Sequence, residues 1–283
     1  MINKLVTVGV ALYNHEKYIV KCLESIVKQS YKNIELIVID DGSTDNSYSL
    51  AKEYLDSQNH NKSYKVITRK NKGMCNTLNE IAMQSKSKYI SFIGSDDFWM
   101  NNKIEEQVDY LEKNADIVLV HSNSIKIDNN DNEIGFIDYS SKDNSGNLFK
   151  SIIFRKGGIN TPSHLYRTEI YREIGYYDSS LKFEDTDFWL RLTKNNKVGF
   201  INKYHTYYRW HNDNLSGSKN ILKFYNEELI KIYEKNIDDV ELKRFTILKM
   251  YRKSFLRALR TFEFIYFFKY LNKFIKFKYF HSK

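Results

Sequence analysis

The chain has 283 residues, enough to bury a substantial core as one large domain or a domain with an appendage. Its two cysteines, Cys22 and Cys75, lack CxxC or zinc-finger spacing, which excludes a disulfide framework or a finger and fits a reducing cytoplasm. The net charge of +9 sits in residues 243–283, where 12 Lys or Arg and 13 Phe or Tyr face the single acid Glu263, so the rest of the chain is near neutral.

The first 120 residues alternate short apolar runs with helical spacing. LVTVGVAL (5–12) reads as a strand, too short for a signal-peptide core or a membrane span, so export is not expected. In KYIVKCLESIV, Ile19, Cys22, Leu23, Ile26 and Val27 share one helical face. The cycle repeats with IELIVID (34–40) and a helix over 47–56, YKVIT (64–68) and a helix over 74–84, then YISFIG (89–94), a helix over 101–113 and DIVLVHS (116–122). Such continuous apolar strands predict an open α/β domain with a mostly parallel sheet and helices on both faces. Residues 122–146 turn polar, with a hairpin around 129–132 at the sheet edge. The one proline, Pro162, follows Gly157 and Gly158. Residues 184–195 read as a helix, KVGFI and HTYYRW as two strands, and the pattern from 220 onward is helical.

In an open parallel sheet, ligands gather beyond the carboxyl ends of the strands. Those ends are polar here: Asp40-Asp41-Gly42-Ser43 after the second strand, Arg69 to Gly73 after the third, and Ser95-Asp96-Asp97 after the fourth. Ser43 and Thr44 fit an ordinary turn and helix cap. Asp96 and Asp97 do not, because adjacent carboxylates repel and Asn101 is already available as a cap. A hard divalent cation, Mn2+ or Mg2+, explains them better, its remaining ligands coming from water and substrate phosphate.

Taken together, VGVALYNHEKYIVKCLESIVKQSYKNIELIVIDDGSTDNS, the GSDD segment and FEDTDFWLRL resemble a family 2 glycosyltransferase, over residues 5–217. The resemblance implies an inverting enzyme of the Rossmann-like GT-A fold, with a catalytic domain over 1–218, a nucleotide-binding half at 1–120, an acceptor half at 121–218, and a basic aromatic helical extension over 219–283. It implies a UDP-sugar donor carrying a hexose or N-acetylhexosamine, and a hydroxyl of a lipid-linked bacterial surface glycan, such as O-antigen, capsule or lipooligosaccharide, as acceptor. Ala11, Tyr13 and Asn14 would lie under the nucleotide, Asp41 would accept from the uracil ring, and Gly73 would let the backbone approach the donor; an ordinary helix-start glycine is the alternative for Gly73. Asp96 would contact the ribose and Asp97 the metal, with Ser95 standing where the family's triplet begins with an acid. Three acids, Glu184, Asp185 and Asp187, crowd one helix start. The resemblance makes Asp185 the general base and puts Glu184, Ser163 and His164 by the acceptor. In YYRWHNDNLSG it places His211 at the metal or diphosphate and Arg209 as the steadying base.

The tail contains no apolar stretch long enough to span a bilayer. Its basic and aromatic residues suit peripheral attachment to the anionic cytoplasmic face of the inner membrane, or a helical pair packed on the domain. A nucleic-acid-binding protein using the same tail is the competing functional class. A nucleotidyltransferase fits less well, since ALYNHEKY offers no glycine- and lysine-rich phosphate loop.

Overall fold

A computed structural model describes residues 4–58, 63–210 and 221–280. The chain divides into two compact units, residues 1–180 with 188–211, and residues 181–187 with 212–283.

The first unit begins with the expected alternation: β1 (Val6–Leu12), α1 (Ile19–Val27), β2 (Ile34–Asp40), α2 (Ser47–Ser57), β3 (Ser63–Thr68), α3 (Met74–Gln84) and β4 (Tyr89–Gly94). These four strands are mutually parallel in the order β3-β2-β1-β4. Side chains of β1 alternate between two core layers. Val6, Val8, Val10 and Leu12 meet α1 through Ile19, Leu23 and Ile26. The opposite face carries small residues, Thr7, Gly9 and Ala11, which lets α3 lie close. A methyl group on Gly9 would come within 2.7 Å of both Ile81 and Phe92. β3 is the edge strand and its side chains are mostly exposed, unlike its buried neighbours.

The remainder departs from a parallel plan. After β5 (Phe98–Trp99), α4 (Lys103–Lys113), β6 (Ile117–Ile127), β7 (Glu133–Ile137) and α5 (Phe149–Phe154), a 3-10 turn at Thr161–Ser163 leads into β8 (His164–Arg167), α6 (Ile170–Ile174), α7 (Glu184–Asn195) and β9 (Lys197–Arg209). The full order is β3-β2-β1-β4-β8-β6-β9-β5, with β7 on β6. β8 is antiparallel to both β4 and β6, β7 to β6, and β5 to β9, so the parallel character belongs to β1–β4 and the β6–β9 pair. Arg167 anchors β8, donating to the carbonyls of Ile117 and Leu111 at 2.9 and 2.7 Å. The two strands expected in KVGFI and HTYYRW are one 13-residue strand, which stays paired to β6 by shifting register near Ser122 and Asn123. The hairpin at 129–132 joins β6 to β7. α4 starts at Lys103, two residues later than its polar N-terminal sequence suggested.

The second unit holds the first residues of α7, then α8 (Ile221–Asn236), α9 (Val240–Arg260) and α10 (Phe264–Phe280). Asp239 caps α9 by accepting from the Leu242 amide at 2.9 Å. Rings interleave between the last two helices, Phe255 with Phe267 and Phe274, and Tyr251 with Phe277. No helix among the described residues is long and apolar enough to cross a membrane.

Candidate active site

The acid pair occupies a tight corner between β4 and β5. The Asp97 amide donates to the Gly94 carbonyl at 3.0 Å, closing the turn. Phe98 and Trp99 then pair with Tyr207 and Thr206, and the Phe98 and Tyr207 rings stack at 4.5 Å. Both carboxylates fold back over Gly94: a methyl group there would lie 2.8 Å from Oδ1 of Asp96 and 3.1 Å from Oδ2 of Asp97. Burial, then the charge of Asp96, holds the Asp97 carboxyl well above the ordinary carboxylate range, partly offset by the Arg209 amide and guanidinium. Two hard carboxylate groups side by side, with the charge on Asp97 penalised in this way, fit a divalent cation, which would relieve that penalty. The described residues contain no cluster of three or more His, Cys, Asp or Glu suited to a metal, so an ion held here would take most of its ligands from substrate and water.

Arg209, expected at a diphosphate, is buried instead beneath this corner. Its amide donates to Oδ1 of Asp97 at 2.8 Å and its Nε to the Asp96 carbonyl at 2.9 Å. Its two Nη atoms reach the Asp128 carbonyl and the Asp131 carboxylate, and its plane lies 4.3 Å from the Tyr18 ring centre. Lys21 bonds the same Asp131 at 2.6 Å. The side chain therefore braces the acid corner against the β6–β7 turn. Ser95 Oγ lies 2.7 Å from Nδ1 of His15, a residue of the β1–α1 loop that sequence reasoning did not single out.

On the nucleotide side, Ala11 lies at the end of β1, and Tyr13 beyond it is 46% exposed. Asn14 adopts the left-handed region at φ 51° and accepts from the Thr44 amide at 2.8 Å, while its own amide donates to Ser43 Oγ at 2.9 Å. Ser43 thus holds a turn, its amide also directed at Asp40. Asp41 is buried, accepting from Arg69 and the Lys72 amide (2.9 Å) on Oδ1 and from the Gly73 amide (2.7 Å) on Oδ2. Gly73 sits at φ 88°, a conformation that favours glycine, so its identity is set by the backbone turn into α3. Arg69 also holds Glu80 and Thr77 at 3.0 and 2.8 Å. These contacts fasten the loop after β3 to the end of β2.

Ser163 and His164, expected by the acceptor, do not face an open surface; both are buried. The Ser163 hydroxyl bonds that of Ser122, which lies 3.0 Å from Nδ1 of His205, whose Nε2 meets Glu106 at 3.1 Å. His164 Nε2 bonds the Tyr166 hydroxyl at 2.5 Å, and its carbonyl accepts from Ser91 and from the buried Lys103. His121 bonds the Asn144 carbonyl and the Asn160 amide. Burial keeps all three histidines neutral: His121 and His205 are lowered to about 4, and His164, further disfavoured by Lys103, to about 3. This network is scaffolding beneath the 157–163 loop.

The remaining acids lie in the second unit, on the first turn of α7. Asp187 is buried and held by Lys235 at 3.0 Å and by Asn236 at 2.9 Å, a structural role. Asp185 Oδ1 accepts from the Thr186 amide at 2.6 Å. Glu184 is pushed up to about 7, first by burial and then by the charge of Asp185. A carboxyl that exchanges its proton near neutral pH suits acid–base chemistry. His211 lies outside the described residues.

The profile of Glycosyl transferase family 2 matches residues 7–175. An uncharacterized glycosyltransferase of Rickettsia bellii (strain RML369-C) is 29% identical over 209 residues; the match covers 74% of this chain but only 29% of that protein. The Escherichia coli UDP-Glc:alpha-D-GlcNAc-diphosphoundecaprenol beta-1,3-glucosyltransferase WfaP is 29% identical over 227 residues, 76% of this chain and 81% of WfaP. Among solved structures, Staphylococcus aureus TarS 1-349 in complex with UDP-GlcNAc superposes with a TM-score of 0.73 at 19% identity, over 96% of this chain and 81% of that one. That likeness establishes the GT-A-type fold.

Proposed function

The chain belongs to glycosyl transferase family 2, and from that membership we propose that it transfers a hexose or N-acetylhexosamine from a UDP-sugar to a hydroxyl of a lipid-linked bacterial surface glycan, with inversion at the anomeric carbon. Residues 1–218 form the catalytic part in this reading, and 219–283 an extension holding it to the cytoplasmic face of the inner membrane. The observation that carries it is the carboxylate pair folded over Gly94 at the carboxyl end of β4, next to the end of β1, which is paired in turn with β2. The likeness to WfaP, whose name specifies a UDP-sugar donor and a diphosphoundecaprenol-linked acceptor, supports the donor and acceptor classes.

Asp97 would hold Mn2+ or Mg2+, which when bound offsets the charge of a departing diphosphate, and Asp96 beside it would contact the ribose. Asp41 accepts from the uracil ring, with Ala11, Tyr13 and Asn14 beneath the nucleoside and Gly73 admitting the donor to the backbone. Asp185 takes the proton from the acceptor hydroxyl as that oxygen attacks, so one displacement suffices and no covalent intermediate forms. Glu184 beside it binds the acceptor.

Two variants separate these roles. Asp97→Asn should abolish Mn2+-assisted UDP binding measured by calorimetry. Asp185→Asn should leave that binding intact while lowering transfer, followed as UDP release, by about 10²- to 10⁴-fold. Near-normal transfer by Asp185→Asn would refute the base assignment, and wild-type protein that takes up UDP equally with and without Mn2+ would refute the site.

A further inference from the structure

Packing α10 on α9 uses only part of α10's apolar surface. One face meets α9 through Phe267, Phe274 and Phe277, with Tyr270 buried. A second face, at spacings of three and seven residues, stays exposed: Ile265, Phe268 and Ile275 are 84%, 64% and 43% accessible, followed by Tyr279. A soluble helix normally covers one such stripe and leaves polar residues opposite. The turn between the helices continues the exposed stripe with Phe262, which is 78% accessible at φ 56°, and with Phe264; Leu256 and Leu259 add to it from the end of α9. Large apolar side chains gathered on a hairpin tip mark an interaction surface.

The charge around this tip selects the partner. Lys253, Arg257 and Arg260 are exposed on the last turns of α9 and Lys276 is exposed on α10, while Glu263 is the single acid of residues 243–283. Aromatic and aliphatic side chains around the turn, with cations on the last turns of α9 beside them, suit an anionic bilayer surface, with apolar groups below the phosphates. Nucleic acid suits the tip less well, because Leu256, Leu259 and Ile265 offer bases no stacking surface. We propose that the α9–α10 hairpin tip, residues 256–268, is a lipid-docking element that buries Phe262, Ile265 and Phe268 among the headgroups of an anionic membrane while Lys253, Arg257 and Arg260 contact lipid phosphates.

This deepens the membrane attachment in the function proposed above by assigning it to one tip, and it can fail without the transferase reading failing. The full chain is tested by co-sedimentation with phosphatidylcholine vesicles with and without phosphatidylglycerol, alongside thermal stabilisation by UDP and Mn2+. Wild-type protein should prefer the anionic vesicles, and a Phe262→Ser, Ile265→Ser, Phe268→Ser variant should lose at least about tenfold of that binding while keeping its melting temperature and its response to UDP. A Lys253→Gln, Arg257→Gln, Arg260→Gln variant should lose the preference for anionic lipid. Unchanged sedimentation of the serine variant overturns the proposal. So does wild-type protein that binds an RNA oligonucleotide but no vesicles, or a tip that holds two copies together in light scattering without binding lipid.

Discussion

Glycine 94 shows what residue-scale chemistry the sequence exposed and what it hid. Asp96 and Asp97 stand out in the sequence because like charges side by side repel, which makes them a candidate seat for a counter-ion. Gly94 sits within the GSDD segment but the sequence assigns it no role there, since it leaves a volume empty and only the folded corner reveals what fills it. His15 gives no local signal and Arg69 reads only as part of a polar strand end, because their partners, Ser95 and Asp41, lie 80 and 28 residues away and are brought close by the strand order. Arg209 was noticed as a base, yet its ties to Asp128 and Asp131 come from a turn about which local pattern says nothing. Gly94→Ala should therefore push the two carboxylates apart. The expected outcome is at least about a tenfold loss of Mn2+-assisted UDP binding in calorimetry, with UDP binding in chelator little changed.

Among the elements, the β1–β4 half was readable from its alternating apolar runs and helical faces. The other half was harder because β8, four residues long, enters antiparallel between β4 and β6, and no local pattern specifies a strand's neighbour. β9 was split in two because its polar centre, Asn202 and Lys203, looks like a break, although pairing with β6 carries the strand through it. The close approach of α3 to β1 gives a direct test. Gly9→Ala puts a methyl group against Ile81 and Phe92, and overpacking of this kind should cost about 1–3 kcal/mol in urea unfolding, with α3 losing hydrogen-exchange protection first.

For the whole molecule, the buried polar network under the 157–163 loop links stability to pH. An unfolded histidine gains its proton near pH 6.5, whereas His121 and His205 resist to about 4 and His164 to about 3. Between those limits the unfolded chain binds more protons, so stability present above about pH 6.5 is lost as the pH falls. Glu184 and Asp97, both raised, act in the opposite sense and soften the net slope. A His205→Gln variant isolates one contribution. Its urea-unfolding free energy should fall less steeply than that of wild type between about pH 6 and 5, by up to about 1.4 kcal/mol per pH unit. At this scale the composition was a fair guide to the tail, since its basic and aromatic excess is the exposed hairpin. It could not show that α10 has apolar side chains on two faces, one of them already covered by α9.

The corner between β4 and β5 has one further consequence. Because the Gly94 carbonyl, the Arg209 amide and the pairing of Phe98 with Tyr207 all fix it, an ion held there, as proposed, would find its oxygens already positioned. Little chain entropy would remain to be surrendered, and the slow event would be the shedding of the ion's own hydration shell. Mg2+, which dehydrates reluctantly, should then load more slowly than Mn2+ even where both reach the same final occupancy.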